Sequence, residues 1–94
     1  MEFERSGDHL TVRLSGEITY ENAPQIIEKL FIETDGITEL TFDLKELEYV
    51  SSNGLRIFLM YQKLLKDNMC IKNVSEEVME IFRVTGFVKL LNII

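Results

Sequence analysis

Residues 40–55 read Leu-Thr-Phe-Asp-Leu-Lys-Glu-Leu-Glu-Tyr-Val-Ser-Ser-Asn-Gly-Leu, and a change of rhythm inside them decides the architecture. Leu40, Phe42 and Leu44 alternate with polar neighbours, the period of a strand with one buried face. Leu47, Tyr49 and Val50 extend or bend that strand. Ser51-Ser52-Asn53-Gly54 then interrupts the apolar pattern. From Leu55 the repeat is helical, through Leu55, Phe58, Leu59, Leu64 and Leu65, with Ile57, Met60 and Tyr61 widening the face. A helix apolar over so much of its circumference is expected to pack on two sides. Between strand and helix, a Ser or Asn is suited to cap the helix and Gly54 permits a tight turn.

Upstream, Phe3 begins a short strand and Ser6-Gly7-Asp8 reads as a turn. Leu10, Val12 and Leu14 alternate with Thr11, Arg13 and Ser15, a second half-buried strand that Gly16 closes. Ala23-Pro24 opens a helix with Asn22 as its expected cap, and Ile26, Ile27, Leu30 and Phe31 form its apolar stripe. Asp35-Gly36 stops it. Downstream, Lys66-Asp67-Asn68 ends the long helix and Met69 to Val74 is β-compatible. Ser75 caps a third helix whose first turn carries Glu76 and Glu77, and Thr85-Gly86 ends it. The apolar tail with Phe87, Leu90, Leu91, Ile93 and Ile94 docks as a short helix or strand. Strands alternating with helices imply an α/β fold, a mixed and mostly parallel sheet of four to five strands with helices packed against it.

The chain's 94 residues leave room for a single domain, residues 1–94. The formal charge of −6 argues against nucleic acid or an anionic membrane as partner, since both demand a basic footprint. No apolar run reaches the length of a membrane span, and one unpaired cysteine suits a reducing cytoplasmic setting. With one Cys and one His, a disulfide framework and a Cys/His zinc site are excluded. His9 is expected at an exposed or edge position, and Cys70 as a buried, inert thiol. No phosphate-cradling glycine loop and no nucleophile elbow occur, so the chain is read as no enzyme, without metal or cofactor. Glu46/Glu48 and Glu76/Glu77 read as a solvated face and a helix start.

Ser51-Ser52-Asn53-Gly54 has one further reading. A hydroxyl at a helix start is surface-exposed, and a phosphate added there is compatible with the fold. It still adds about −1.5 to −2 charge at one spot, enough to switch off a complementary interface.

The ordered set of motifs resembles the STAS domain family, in particular bacterial anti-sigma factor antagonists of the SpoIIAA/RsbV kind. Leu10-Thr11-Val12-Arg13-Leu14-Ser15-Gly16-Glu17-Ile18 is similar to the family's opening strand. Leu40 to Val50 is similar to the strand before its Asp-Ser-Ser-Gly-Leu loop, here Ser51-Ser52-Asn53-Gly54-Leu55. Ser75 to Gly86-Phe87 is similar to its third helix. The resemblance implies a partner that is an anti-sigma factor and serine kinase, with a serine phosphatase resetting the phosphorylated form. It places the phosphoserine on Ser52. Two departures stand out: Ser51 and Asn53 replace the motif's Asp and second Ser, and Thr19 stands where an acidic residue often follows Gly-Glu-hydrophobic. They leave a competing expectation, a constitutive STAS interaction subunit of a larger signalling or transport assembly. The expected partner surface comprises Thr19, Tyr20, Glu21, Ser51, Ser52, Asn53, Gly54 and Arg56.

Overall fold

The computed structural model describes residues 1–94. The elements run β1 (Glu2–Ser6), β2 (His9–Ile18), α1 (Ala23–Glu33), β3 (Glu39–Val50), α2 (Ser52–Leu65), β4 (Met69–Lys72) and α3 (Glu76–Thr85). Short 3-10 turns follow α2 at Lys66–Asn68 and α3 at Phe87–Lys89. The four strands stand in the order β1-β2-β3-β4, with β1 antiparallel to β2 and the other pairs parallel. The tail adds only a single parallel bridge from Ile93 to Ile71.

Both parallel steps go to the next strand in the same direction. Right-handed crossovers therefore lay α1 and α2 on one face of the sheet. Leu10, Val12 and Leu14 of β2, Leu40, Phe42 and Leu44 of β3, and Met69 and Ile71 of β4 point to that face and are buried. An aromatic chain locks the helices onto it. The Phe42 and Phe58 rings meet edge to face at 5.0 Å, and Phe58 meets Phe82 of α3 at 6.0 Å. Each such contact adds about 0.5–1.5 kcal/mol beyond its burial. On the other flank of α2, the Tyr61 hydroxyl lies 3.3 Å from that of Thr34, just past α1. The long helix thus has the sheet beneath it and a neighbour on each side, as its wide apolar face implies. In its last turn Leu65 packs against the core, but Leu64, expected in the same stripe, is exposed.

Expectations at Phe31, Asn22, His9 and Cys70 need correction. Phe31 is 66% exposed, because the stripe of α1 is narrow: Phe31 sits about 100° round from buried Leu30, where no element lies alongside. Asn22 occupies the cap position of α1 but makes no cap bond. His9 is half-buried, with Nε2 2.8 Å from the Thr41 hydroxyl, which in turn lies 3.5 Å from Sγ of half-buried Cys70. These three residues sit on the helix-free face of the sheet.

The loss of clean alternation after Leu44 has a structural cause. The β2–β3 ladder shifts twice, Arg13–Asp43 giving way to Ser15–Glu46 and Gly16–Leu47 to Glu17–Tyr49. At each shift β3 holds one extra residue, a β-bulge. Inward positions therefore fall at Leu44, Leu47 and Val50, three apart instead of two.

Candidate functional site

No loop separates β3 from α2. Ser51 is extended, with φ −76° and ψ 171°, and its N–H donates to the Ile18 carbonyl at 2.8 Å, adding one bond beyond the end of the β2–β3 ladder. The same residue opens the helix. Its carbonyl accepts from the Leu55 N–H at 3.0 Å and its Oγ from the Gly54 N–H at 3.2 Å. Ser51 is therefore the cap, and Ser52 is the first helical residue. Ser52 is exposed, and its hydroxyl makes no hydrogen bond within the chain. Asn53 is half-buried beside it.

Gly54 explains why the helix begins so close to the strands. A Cβ at this position would stand 2.5 Å from Val50 Cγ2 and 2.7 Å from Ile18 Cγ2. Only a residue without a side chain lets the first turn of α2 rest on the ends of β2 and β3. Arg56 lies one turn further along and is exposed.

The turn after β2 lies at the same rim, held there by the Ser51–Ile18 hydrogen bond. Thr19 and Asn22 cap each other. The Thr19 N–H donates to Asn22 Oδ1 at 2.7 Å, and the Asn22 N–H donates to Thr19 Oγ1 at 3.1 Å. This is capping-box geometry, with Thr19 in the capping role expected of Asn22. Thr19 is thus half-buried and structural, while Tyr20 is 74% exposed and Glu21 is exposed. The fold brings Tyr20, Glu21, Ser52 and Arg56 to one rim as accessible side chains. Thr19, Ser51 and Gly54 build the rim from beneath. A second exposed aromatic, Tyr49, stands level with Glu17 at the same end of the sheet. Its signal in the sequence was the three-residue step from Leu47 to Val50, which turns Tyr49 outward.

A larger depression, about 400 Å³, lies elsewhere, on the helix-free face between Arg13, Asp43, Lys45 and Asn73. Asp43 gathers its polar contacts, with the Arg13 guanidinium 3.7 Å from Oδ2. Partial burial pushes the Asp43 carboxyl up. The Asn73 amide and the Lys45 N–H, each 3.1 Å from Oδ1, together with the charges of Lys72 and Arg13, outweigh it and hold the carboxyl below its ordinary value. No three His, Cys, Asp or Glu side chains come together in a way that would hold a metal ion. No helix is long and apolar enough to cross a membrane.

Comparison with known proteins matches this architecture. The chain is similar to the anti-sigma-B factor antagonist of Bacillus subtilis (strain 168), 27% identical over 99% of this chain and 88% of that one. It is 30% identical to the anti-sigma-B factor antagonist of Listeria monocytogenes, over 96% of this chain and 82% of its relative. A putative anti-sigma factor antagonist, BtrV of Bordetella bronchiseptica, is 31% identical over 82% of this chain and 70% of its own. Among solved structures, the fold matches the anti-sigma factor antagonist SpoIIAA in its unphosphorylated form with a TM-score of 0.78, at 20% identity over 99% of this chain and 86% of that one. The phosphorylated form of SpoIIAA matches at 0.71, at 19% identity over 99% of this chain and 89% of that one. The STAS domain model spans residues 1–94, and the chain belongs to the STAS domain family.

Proposed function

We propose that this chain is an anti-sigma factor antagonist. It binds an anti-sigma factor that is also a serine kinase, through the rim formed by Tyr20, Glu21 and the start of α2. Phosphorylation of Ser52 ends the interaction, and a serine phosphatase restores it. Transcription then responds at one remove, without contact between this acidic chain and nucleic acid, and the exchange takes place in the cytoplasm.

The observation that carries this reading is the position of Ser52. It is the first residue of α2, exposed, with an unengaged hydroxyl, on a helix start that Ser51 and Gly54 fix by other contacts. A phosphate there leaves the cap and the close approach to Ile18 and Val50 untouched. It changes only what a partner meets, by about −1.5 to −2 charge.

The test is incubation with a cognate anti-sigma kinase and ATP, read by intact-mass and peptide mass spectrometry. One phosphate at Ser52, absent in Ser52→Ala, is expected. Ser52→Asp should weaken binding of the anti-sigma factor about tenfold or more while circular dichroism stays unchanged. An unmodified chain would remove the switch.

One observation favours the second reading, a constitutive STAS interaction subunit. Ser51, where the family motif has Asp, uses its hydroxyl as the helix cap, and the first turn of α2 holds no acidic residue. Ser52 has no carboxylate beside it in the helix. A stable stoichiometric complex in native lysate, unchanged by phosphatase treatment, would select this reading.

A further inference from the structure

We infer that Arg56 is the in-chain counter-charge for a phosphate on Ser52, closing a phosphoserine–arginine pair across the first turn of α2. This rests on the proposed phosphorylation of Ser52 and goes beyond it, since it assigns Arg56 a role in the modified state.

Three observations converge. The first is spacing. Ser52 and Arg56 are i and i+4 on one helix, both exposed, which sets their Cβ atoms about 5–6 Å apart. Side chains on a helix tilt toward its N-terminus, which directs Arg56 toward the turn that carries Ser52. The second is availability. Arg5 bonds the Gly7 and Asp35 carbonyls, Arg13 pairs with Glu4 and Asp43, and Arg83 pairs with Glu80. Arg56 alone among the four arginines makes no hydrogen bond or ion pair. The third is the absence of a rival acid nearby. The helix neighbours of Arg56 are Ser52, Asn53, Leu59 and Met60, and Glu21 on the adjacent turn makes no ion pair with it. A free guanidinium with five donors, one turn from a hydroxyl, matches a phosphate dianion in geometry as well as in charge.

The consequence is a double change from one modification. Phosphorylation adds an anion to the rim and also draws the only unpaired arginine away from whatever it faces in the unmodified chain.

The test installs phosphoserine at position 52 by genetic-code expansion, so that it depends on no kinase, and follows the second phosphate ionisation by phosphorus NMR. That ionisation should lie lower in the native chain than in Arg56→Gln by about 0.3 of a pH unit. Arg56→Lys should retain part of the difference, and 1 M salt should narrow it. The helix start itself is the same in all three chains, so the difference isolates Arg56. Equal ionisation in the native chain and Arg56→Gln would overturn the pair. A kinase that leaves Ser52 unmodified would instead overturn the proposed switch, and would leave this titration as it stands.

Discussion

The chain begins two of its helices with the same device and uses them differently. Ser51 caps α2 and Ser75 caps α3, each accepting from the N–H three residues on, Gly54 at 3.2 Å and Val78 at 3.3 Å. Around the cap the two starts diverge. At α3 the third residue is Val78, which fills the core, and the first turn carries Glu76 and Glu77. At α2 the third residue is Gly54, lying against the strand ends, and the first turn carries no acid. The α3 lead-in is tied to the sheet by side chains, the Ser75 hydroxyl donating to the Leu47 carbonyl at 2.9 Å and Asn73 to Asp43. The α2 lead-in is tied only through backbone and the missing Cβ. One helix start is finished internally, and the other leaves its exposed positions for an outside group.

The largest test of this contrast is Gly54→Ala. The added methyl runs into Val50 and Ile18, side chains of buried residues at the strand ends, so a cost of about 2–3 kcal/mol is expected. Thermal unfolding should fall by roughly 10–20 °C. The matching change at α3 has the opposite sense: Val78→Ala removes bulk from a filled site and costs about 2 kcal/mol by leaving space. If Gly54→Ala were neutral, the close approach would have no energetic weight.

The next test removes each cap in turn. Ser51→Ala loses one bond to an N–H and should cost about 0.5–1 kcal/mol. Ser75→Ala also leaves the Leu47 carbonyl without its partner, so about 1–2 kcal/mol is expected, and urea midpoints should rank the two in that order. Equal midpoints would mean that the Ser75–Leu47 bond adds nothing.

The smallest effect concerns pH. Asp43 is held below its ordinary value in the folded chain. Its contribution is therefore present above the unfolded value, about 3.9, and is lost as pH falls through the folded one. In urea titrations, the stability gap between the native chain and Asp43→Asn should be open at pH 6 and narrow by pH 3. A gap constant across that range would show that Asn73 holds the α3 lead-in without the charge.

The α/β order was legible in the sequence because long elements repeat their period: Leu10-Val12-Leu14 and Leu40-Phe42-Leu44 alternate, and α2 shows its stripe over several turns. Failures fell where two local solutions compete. Asn22 and Thr19 are both capable caps, and only the path of the chain after Ile18 decides between them. Phe31 fits a helical stripe in the sequence, yet burial depends on what lies alongside. At the rim, position before an apolar helix marked a hydroxyl without separating Ser51 from Ser52, and only the family resemblance chose between them. The role of Gly54 was not legible, since the need for a missing Cβ arises only when Ile18 and Val50 arrive from different strands.

The two bulges of β3 have a further consequence. β3 uses 12 residues where β2 uses 10, yet the ladder between them begins at His9–Glu39 and closes level at Ile18–Val50. The longer strand works like a vernier against the shorter. Each extra residue is taken up locally, so Leu44, Leu47 and Val50 all face the core at steps of three while the residues beyond each bulge stay level with β2. The level of the candidate switch above the sheet is thus set by strand pairing, well before the helix that carries it begins.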